Sequence, residues 1–282
     1  MARGTPNTLP RCSCMEAKPD RQLKVGLALL AVLVGFGLTR TVADSLYAWG
    51  VIPHYHQPVL NVYTLGVLIT ASALILWERR RLPQFHIDGL VLGIVILAPV
   101  LQWAYGLPFR GFDVVPEAYL SPWWPKLAVD AALLALLVAL RAKAPRPGPV
   151  AWAFVAGALV FVAAGLVGAL TAPPGGIDPR SLPMTTLTFL VVLTRWATYE
   201  ELIMVVFLWG YLRLLGWRDE RILIAQTVLF MLFHIFLIPG RPAVFLIVVP
   251  ATALVAGLLA WKNRSAAPSM VVYALMSIFV SF

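Results

Sequence analysis

Apolar residues in this chain come in long unbroken runs, separated by short polar segments that hold most of the charges. The runs lie at roughly 23–39, 59–77, 88–105, 126–140, 150–170, 184–212, 221–239, 243–261 and 267–282. A helix crosses the hydrocarbon core with about 20 mainly apolar residues. A transmembrane β-barrel would instead alternate apolar and polar positions over about ten residues. The pattern predicts an all-α polytopic transmembrane helix bundle with nine spans. The fourth and ninth runs are short, so eight spans and one re-entrant segment is the alternative. Pro250 inside the eighth run predicts a kink. The first run follows a polar tail of more than twenty residues, and no small-x-small cleavage site follows it. It reads as a retained anchor rather than a signal peptide.

Composition agrees with this picture. Hydrophobic residues make up 60% of the chain and charged residues 12%, against about 25% charged in soluble domains. The net charge of +9 does not point to nucleic acid, because the cations cluster in short loops between runs. With a cytoplasmic N-terminus, sixteen Lys and Arg fall in inside segments: the tail, 79–81, 141–146, 213–221 and 262–264. Five fall outside, at Arg40, Arg110, Lys126, Arg180 and Arg241, and Arg195 lies within a run. That excess of inside cations predicts the N-terminus in and the C-terminus out. The organisation expected is a cytoplasmic tail 1–22, a five-span region 23–170, a turn-rich linker 171–183 and a four-span core 184–282. The inner (plasma) membrane is the expected location. Cys12 and Cys14 both lie in the tail and carry no expected role. Loop 107–126, rich in Pro and aromatics, reads as an interfacial anchor or a lid, with Trp123 and Trp124 suited to the membrane interface.

One feature resists a purely structural reading. Glu200 and Glu201 sit side by side in the middle of the sixth run. A carboxylate at bilayer depth costs roughly 2.5–3.5 kcal/mol on insertion scales, and such residues usually mark a site facing a cavity or the bundle interior. Thirteen residues separate Glu200 from Arg213, and thirteen separate Arg221 from His234. At the helical rise both groups stand about 20 Å from one boundary. A carboxylate that takes a proton from water, beside an imidazole that orients the water or stabilises an oxyanion, suits hydrolysis. Successive helical residues diverge by about 100°, so the two glutamates cannot aim at one point. Glu201 shares its face with Thr194 and Thr198 and is expected to be the better buttressed. Gln226, Phe230 and His234 follow one stripe of the seventh span. An ion pair with Arg195, a packing role for His234 and a proton-relay or transport site are the competing readings.

These residues resemble the CPBP family, the CAAX-processing and bacteriocin-processing intramembrane proteases, whose core carries EExxxR, FxxxH and HxxxN on successive helices. Glu200-Glu201 matches the first motif, with Val205 at the arginine position. Phe230 to His234 matches the second. Tyr273 and Ser277 stand where the third has His and Asn. The resemblance covers about 184–282. It implies an intramembrane endopeptidase with Glu200, Glu201 and His234 as catalytic residues, and Tyr273 and Ser277 as candidates to orient water or bind the oxyanion. A zinc site needs three protein ligands and an open position. His54, His56 and His86 lie in loops on different sides, so a metal-free glutamic mechanism without a cofactor is expected. The expected partners are a membrane-tethered peptide or protein tail and the lipid bilayer, with no nucleic acid. The alternatives are a catalytically inactive CPBP-like scaffold or immunity protein, and a proton-coupled transporter.

Overall fold

The computed structural model describes residues 21–53, 57–120, 124–173 and 177–281. The tail with Cys12 and Cys14, together with His54, His56 and Trp123, lies outside the described residues. Those described are all helical in their regular structure, with no strand among them. The helices are α1 (Arg21–Ala48), α2 (Gln57–Trp77), α3 (Gly89–Gly106), the short α4 (Glu117–Leu120), α5 (Trp124–Ala139) and α6 (Pro149–Thr171). They continue as α7 (Leu182–Val192), α8 (Thr198–Glu201), α9 (Leu208–Leu214), α10 (Asp219–Phe233), α11 (Val249–Asn263) and α12 (Ala267–Ser281). Every predicted run falls on helix. Five stretches are long and apolar enough to cross a membrane by themselves: α1, α2, Gly89–Phe109, α6 and Val244–Asn263. The protein is an integral membrane protein.

The central element is the rod from α7 through α9. Two π-helical segments, Leu193–Ala197 and Leu202–Phe207, join its three α-helical parts. The sequence 202–207 is apolar on every side, and all six side chains are buried. A helix that is hydrophobic all round belongs in the middle of a bundle, and α1, α3, α10 and α12 surround this one. By contrast α6 fully buries only Ala151, Gly165 and Ala169. Val155, Phe161, Val162 and Leu166 pack partly against the core, and its exposed apolar residues, such as Leu159, Val160, Val167 and Leu170, are left for lipid. Start signals are local. Asp88 caps α3 by accepting from the amides of Leu90 and Val91, and Pro149 opens α6, where its missing N–H matters least.

Three boundaries differ from expectation. The seventh run extends to 239, but α10 ends at Phe233 and a 3-10 turn, Ile235–Leu237, follows. His234 therefore sits at a helix end rather than within one. Pro250 stands in the first turn of α11, directly after a π-helical segment, Val244–Val248. The wider turn accommodates the ring and the lost N–H that would break a regular helix. Finally, Arg40 and Lys126 are not loop cations. Arg40 lies inside α1, which runs to Ala48, and Lys126 is buried in α5 against Asp130 at 2.7 Å. Ending the first span at Arg40 made it too short against Arg21–Ala48, because that cation, like Lys126, turns inward to an i,i+4 carboxylate.

Segments predicted to share one side do meet at one end of the bundle. Trp77 Nε1 donates to the Gln22 carbonyl at 3.1 Å. The Tyr211 hydroxyl donates to Glu78 at 2.8 Å. The His86 carbonyl accepts from the Ala266 amide at 3.0 Å, and the Gly89 amide reaches the Pro145 carbonyl at 3.4 Å. The ends of α1, α2, α9, α11 and the 140–148 connection are thus stitched together.

Candidate active site

Glu200 is buried, with 2% of its side chain exposed, and its carboxylate is the hub of a polar cluster drawn from four helices. Arg40 of α1 donates through Nη1 to Oε1 at 2.9 Å. Tyr273 of α12 donates its hydroxyl to Oε2 at 2.8 Å. His234, at the end of α10, holds Nε2 at 3.7 Å from the same Oε2. That gap is too long for a direct hydrogen bond and has the span of a shared hydrogen-bonding partner. The matched depth expected of Glu200 and His234 therefore corresponds to adjacency in space.

The imidazole is oriented from behind. Its Nδ1 meets the Phe230 carbonyl at 2.9 Å. A carbonyl accepts only, so Nδ1 carries the proton and Nε2 faces Glu200. The ring stacks on Phe230 at 4.4 Å between centroids, and Phe230 in turn meets Tyr273 edge-on at 5.7 Å. Gln226, one stripe lower, belongs to a different contact. It accepts from Trp209 Nε1 at 2.6 Å and donates to the Ala253 carbonyl at 2.9 Å.

Arg40, His234, Tyr273 and Ser277 line a cavity of about 300 Å³. The opposite walls are apolar, with Val192, Trp196, Phe236 and Val248 among them. Glu200 stands directly behind the polar wall. The cavity thus offers one charged corner in an otherwise apolar chamber. Such a site can hold an extended segment and present water to it. The predicted residues divide here. Glu200, His234 and Tyr273 form the cluster, and Ser277 lines the same cavity one turn beyond Tyr273. Glu201 is buried elsewhere, beside Ser269 of α12, and its Oε2 has no hydrogen-bond partner among the described residues. The expected buttress from the threonine face does not form. Thr194 and Thr198 give their hydroxyls to the carbonyls of Leu190 and Leu193 instead. Residues 107–117, 119 and 120 do not line this cavity, and residues 121–123 of that loop lie outside the described residues.

Arg40 is the site residue that the sequence did not single out. Its Nε bonds Asp44 at 3.1 Å, and its guanidinium lies 5.2 Å from the centroid of the Tyr63 ring. The available signal was an Arg and an Asp four residues apart at the end of an apolar run. Among the described residues, no group of three or more His, Cys, Asp or Glu is placed to hold a metal ion.

No curated protein and no solved structure matches the chain. Residues 181–279 match the family model described as type II CAAX prenyl endopeptidase Rce1-like. This stretch begins just before α7 and takes in Glu200, His234 and Tyr273. Over about its last third the chain is therefore similar to the Rce1-like proteins of the CPBP family.

Proposed function

We propose that the protein is a glutamic-type intramembrane endopeptidase that hydrolyses a peptide bond in a membrane-tethered peptide or protein tail. The observation that supports this most is the Glu200 carboxylate, held by Arg40 and Tyr273 and facing His234 Nε2 across 3.7 Å at the edge of a cavity. In this reading a water between Glu200 and His234 gives its proton to Glu200 as its oxygen bonds the scissile carbonyl carbon. The carbonyl oxygen becomes an oxyanion, stabilised by donation from Tyr273, while His234 Nε2 accepts from the water and orients it. The C–N bond then breaks as the proton passes from Glu200 to the departing nitrogen, restoring the carboxylate. Ser277 is a second candidate to orient water. Glu201 acts from behind the site, as a buried polar neighbour on the same helix. The stitched end of the bundle is the cytoplasmic one in this proposal, with the tail 1–22 on that side.

A second reading has its own support. Both oxygens of Glu200 already engage protein donors, and the family's third-motif histidine is Tyr273. A non-cleaving CPBP-like scaffold would look the same at those positions. A carboxylate oxygen has more than one acceptor direction, so occupied oxygens do not close the site to water. The test is cleavage of a tethered tail carrying a fluorophore–quencher pair, by full-length protein in liposomes. Wild type is expected to cleave, with Glu200→Gln and His234→Ala inactive but correctly inserted. Equal cleavage by all three proteins, or none by wild type against a diverse tail library, sinks the proposal.

A further inference from the structure

We infer that Arg40, from a helix outside the Rce1-like segment, is the positioning residue for Glu200. The inference rests on the endopeptidase reading and adds a requirement to it: the site is complete only with α1.

A buried carboxylate needs a counter-charge or a full set of donors. Glu200 obtains its cation from α1, 160 residues away in sequence. The guanidinium is not a loose surface arm. Asp44 fixes Nε at 3.1 Å, one turn further along the same helix, and the Tyr63 ring of α2 lies over its carbon. A guanidinium held on two sides presents its remaining N–H groups in a fixed plane. One of those aims at Oε1, which leaves Oε2 as the oxygen shared between Tyr273 and the His234 side. Arg40 therefore selects which carboxylate oxygen faces Tyr273 and His234.

The register of α1 is set by the same neighbour that sets His234. Gly37, one turn before Arg40, packs against the Phe233 ring. A Cβ there would stand 2.3 Å from ring carbons. Thr41, next to Arg40, donates its hydroxyl to the Phe233 carbonyl at 3.2 Å. Phe233 immediately precedes His234. One α1 surface thus docks on the end of α10 and aims Arg40 at Glu200. The distance between imidazole and carboxylate depends on a helix that lies wholly outside residues 181–279.

The experiment uses full-length protein in liposomes with the same fluorophore–quencher tail. Arg40→Ala is expected to lower kcat about 100-fold with KM changed less than threefold. Arg40→Lys is expected to regain at least a tenth of wild-type kcat. Guanidinium ion added at millimolar concentration is expected to restore part of the activity of Arg40→Ala, since Arg40 lines the cavity, and none of that of Glu200→Gln. Normal kcat in Arg40→Ala overturns the inference. So does a loss that neither lysine nor guanidinium rescues, because that is the behaviour of a purely structural residue. A double-mutant cycle on melting temperature needs no catalysis: Arg40→Leu and Glu200→Leu alone, then together. Each single change is expected to lower the melting temperature, with the double recovering much of the loss. Additive losses overturn the pairing. If wild type cleaves nothing yet the cycle shows coupling, the endopeptidase reading fails while the pairing stands.

Discussion

Two of the buried ion pairs among the described residues, Lys126–Asp130 and Arg40–Glu200, differ in what surrounds them. Lys126 and Asp130 sit four residues apart on α5, each 1% exposed, with Lys126 also donating to the Val95 carbonyl at 3.0 Å. Neither lines the cavity beside Glu200. Arg40 and Glu200 come from helices far apart in sequence, and they meet where a tyrosine, a histidine and an open chamber also meet. Charge burial is common to both. What separates them is access to open space and the number of independent elements that converge. The first pair forms between neighbours on one helix and is covered by the Val95 carbonyl of α3 and the Tyr199 ring, with no open space beside it. The second leaves a carboxylate oxygen beside a space that a substrate can enter.

The widest test of that contrast is catalytic. Glu200→Gln should reduce cleavage of the tethered tail by at least about 10³-fold, since general-base loss typically accounts for 10²–10⁴. Lys126→Met should leave kcat within a few-fold of wild type. Near-equal effects on turnover would erase the distinction between the pairs. Next comes stability. Removing one partner of a buried pair costs about 3–5 kcal/mol, whereas replacing both with apolar side chains is often neutral. Asp130→Leu should therefore lower the melting temperature sharply, and Lys126→Met with Asp130→Leu should recover most of it. If the double variant melts as low as the single, the α5 pair has a role beyond its own neutralisation. Tyr273→Phe should show a smaller effect, about 10- to 100-fold in kcat with little change in KM. The missing hydroxyl deprives Glu200 Oε2, or the oxyanion, of one donor. A change in KM alone would move Tyr273 from the chemistry to binding.

A third polar contact, at the stitched end, gives the smallest effect and a different axis. His86 is buried in the turn between α2 and α3, where it pairs with Arg213, and Arg213 also bonds Asp219 at 2.7 Å. Burial first, then the nearby Arg213 and Arg264 cations, push the His86 ring down to about 3. Hydrogen bonding to Arg213 likewise holds Asp219 below the ordinary carboxylate range. Below about pH 6.5 the unfolded chain binds a proton at His86 that the native state refuses. Stability from this contact is thus complete above that pH and declines as pH falls toward 3. Melting curves at pH 7.5 and 5 should show the loss. His86→Gln, which keeps an acceptor for Arg213, should flatten the difference. An unchanged pH dependence in His86→Gln would place the sensitivity elsewhere.

The span pattern and the meeting of Glu200 with His234 were both legible in one dimension, because depth follows from residue count along a regular helix. The partners that come from tertiary packing were not. Arg40 reaches Glu200 only because Gly37 lets α1 approach Phe233, and no local pattern relates positions 37, 40, 200 and 233. The facing of Glu201 was misjudged for a related reason. The threonines on its side satisfy their hydroxyls on backbone carbonyls of the preceding turn, which a helical wheel cannot show. The end of α10 at Phe233 escaped notice because Ile235, Phe236 and Leu237 continue the apolar run without a Gly or Pro to mark a stop. Tyr273 was legible as a substitute donor from its position in the third motif, and its hydroxyl bonds Glu200 in the structure.

The wide turns on either side of Glu200 carry a consequence for how this protein tolerates insertions and deletions. A π-helical turn holds one residue more than the α-helical turn it replaces. Shortening Leu202–Phe207 by one residue lets the wide turn relax to an α-helical one and keeps Glu200 in phase with α9. The same deletion within the regular helix Leu208–Leu214 would leave both loops nearly unchanged yet rotate Glu200 by about 100° relative to the residues beyond it. In that second case the carboxylate would leave Arg40 and the cavity together. A single-codon deletion in the regular helix, invisible to a hydropathy profile, would therefore act as an off switch for the site, whereas one in the wide turn would leave the aim of Glu200 intact.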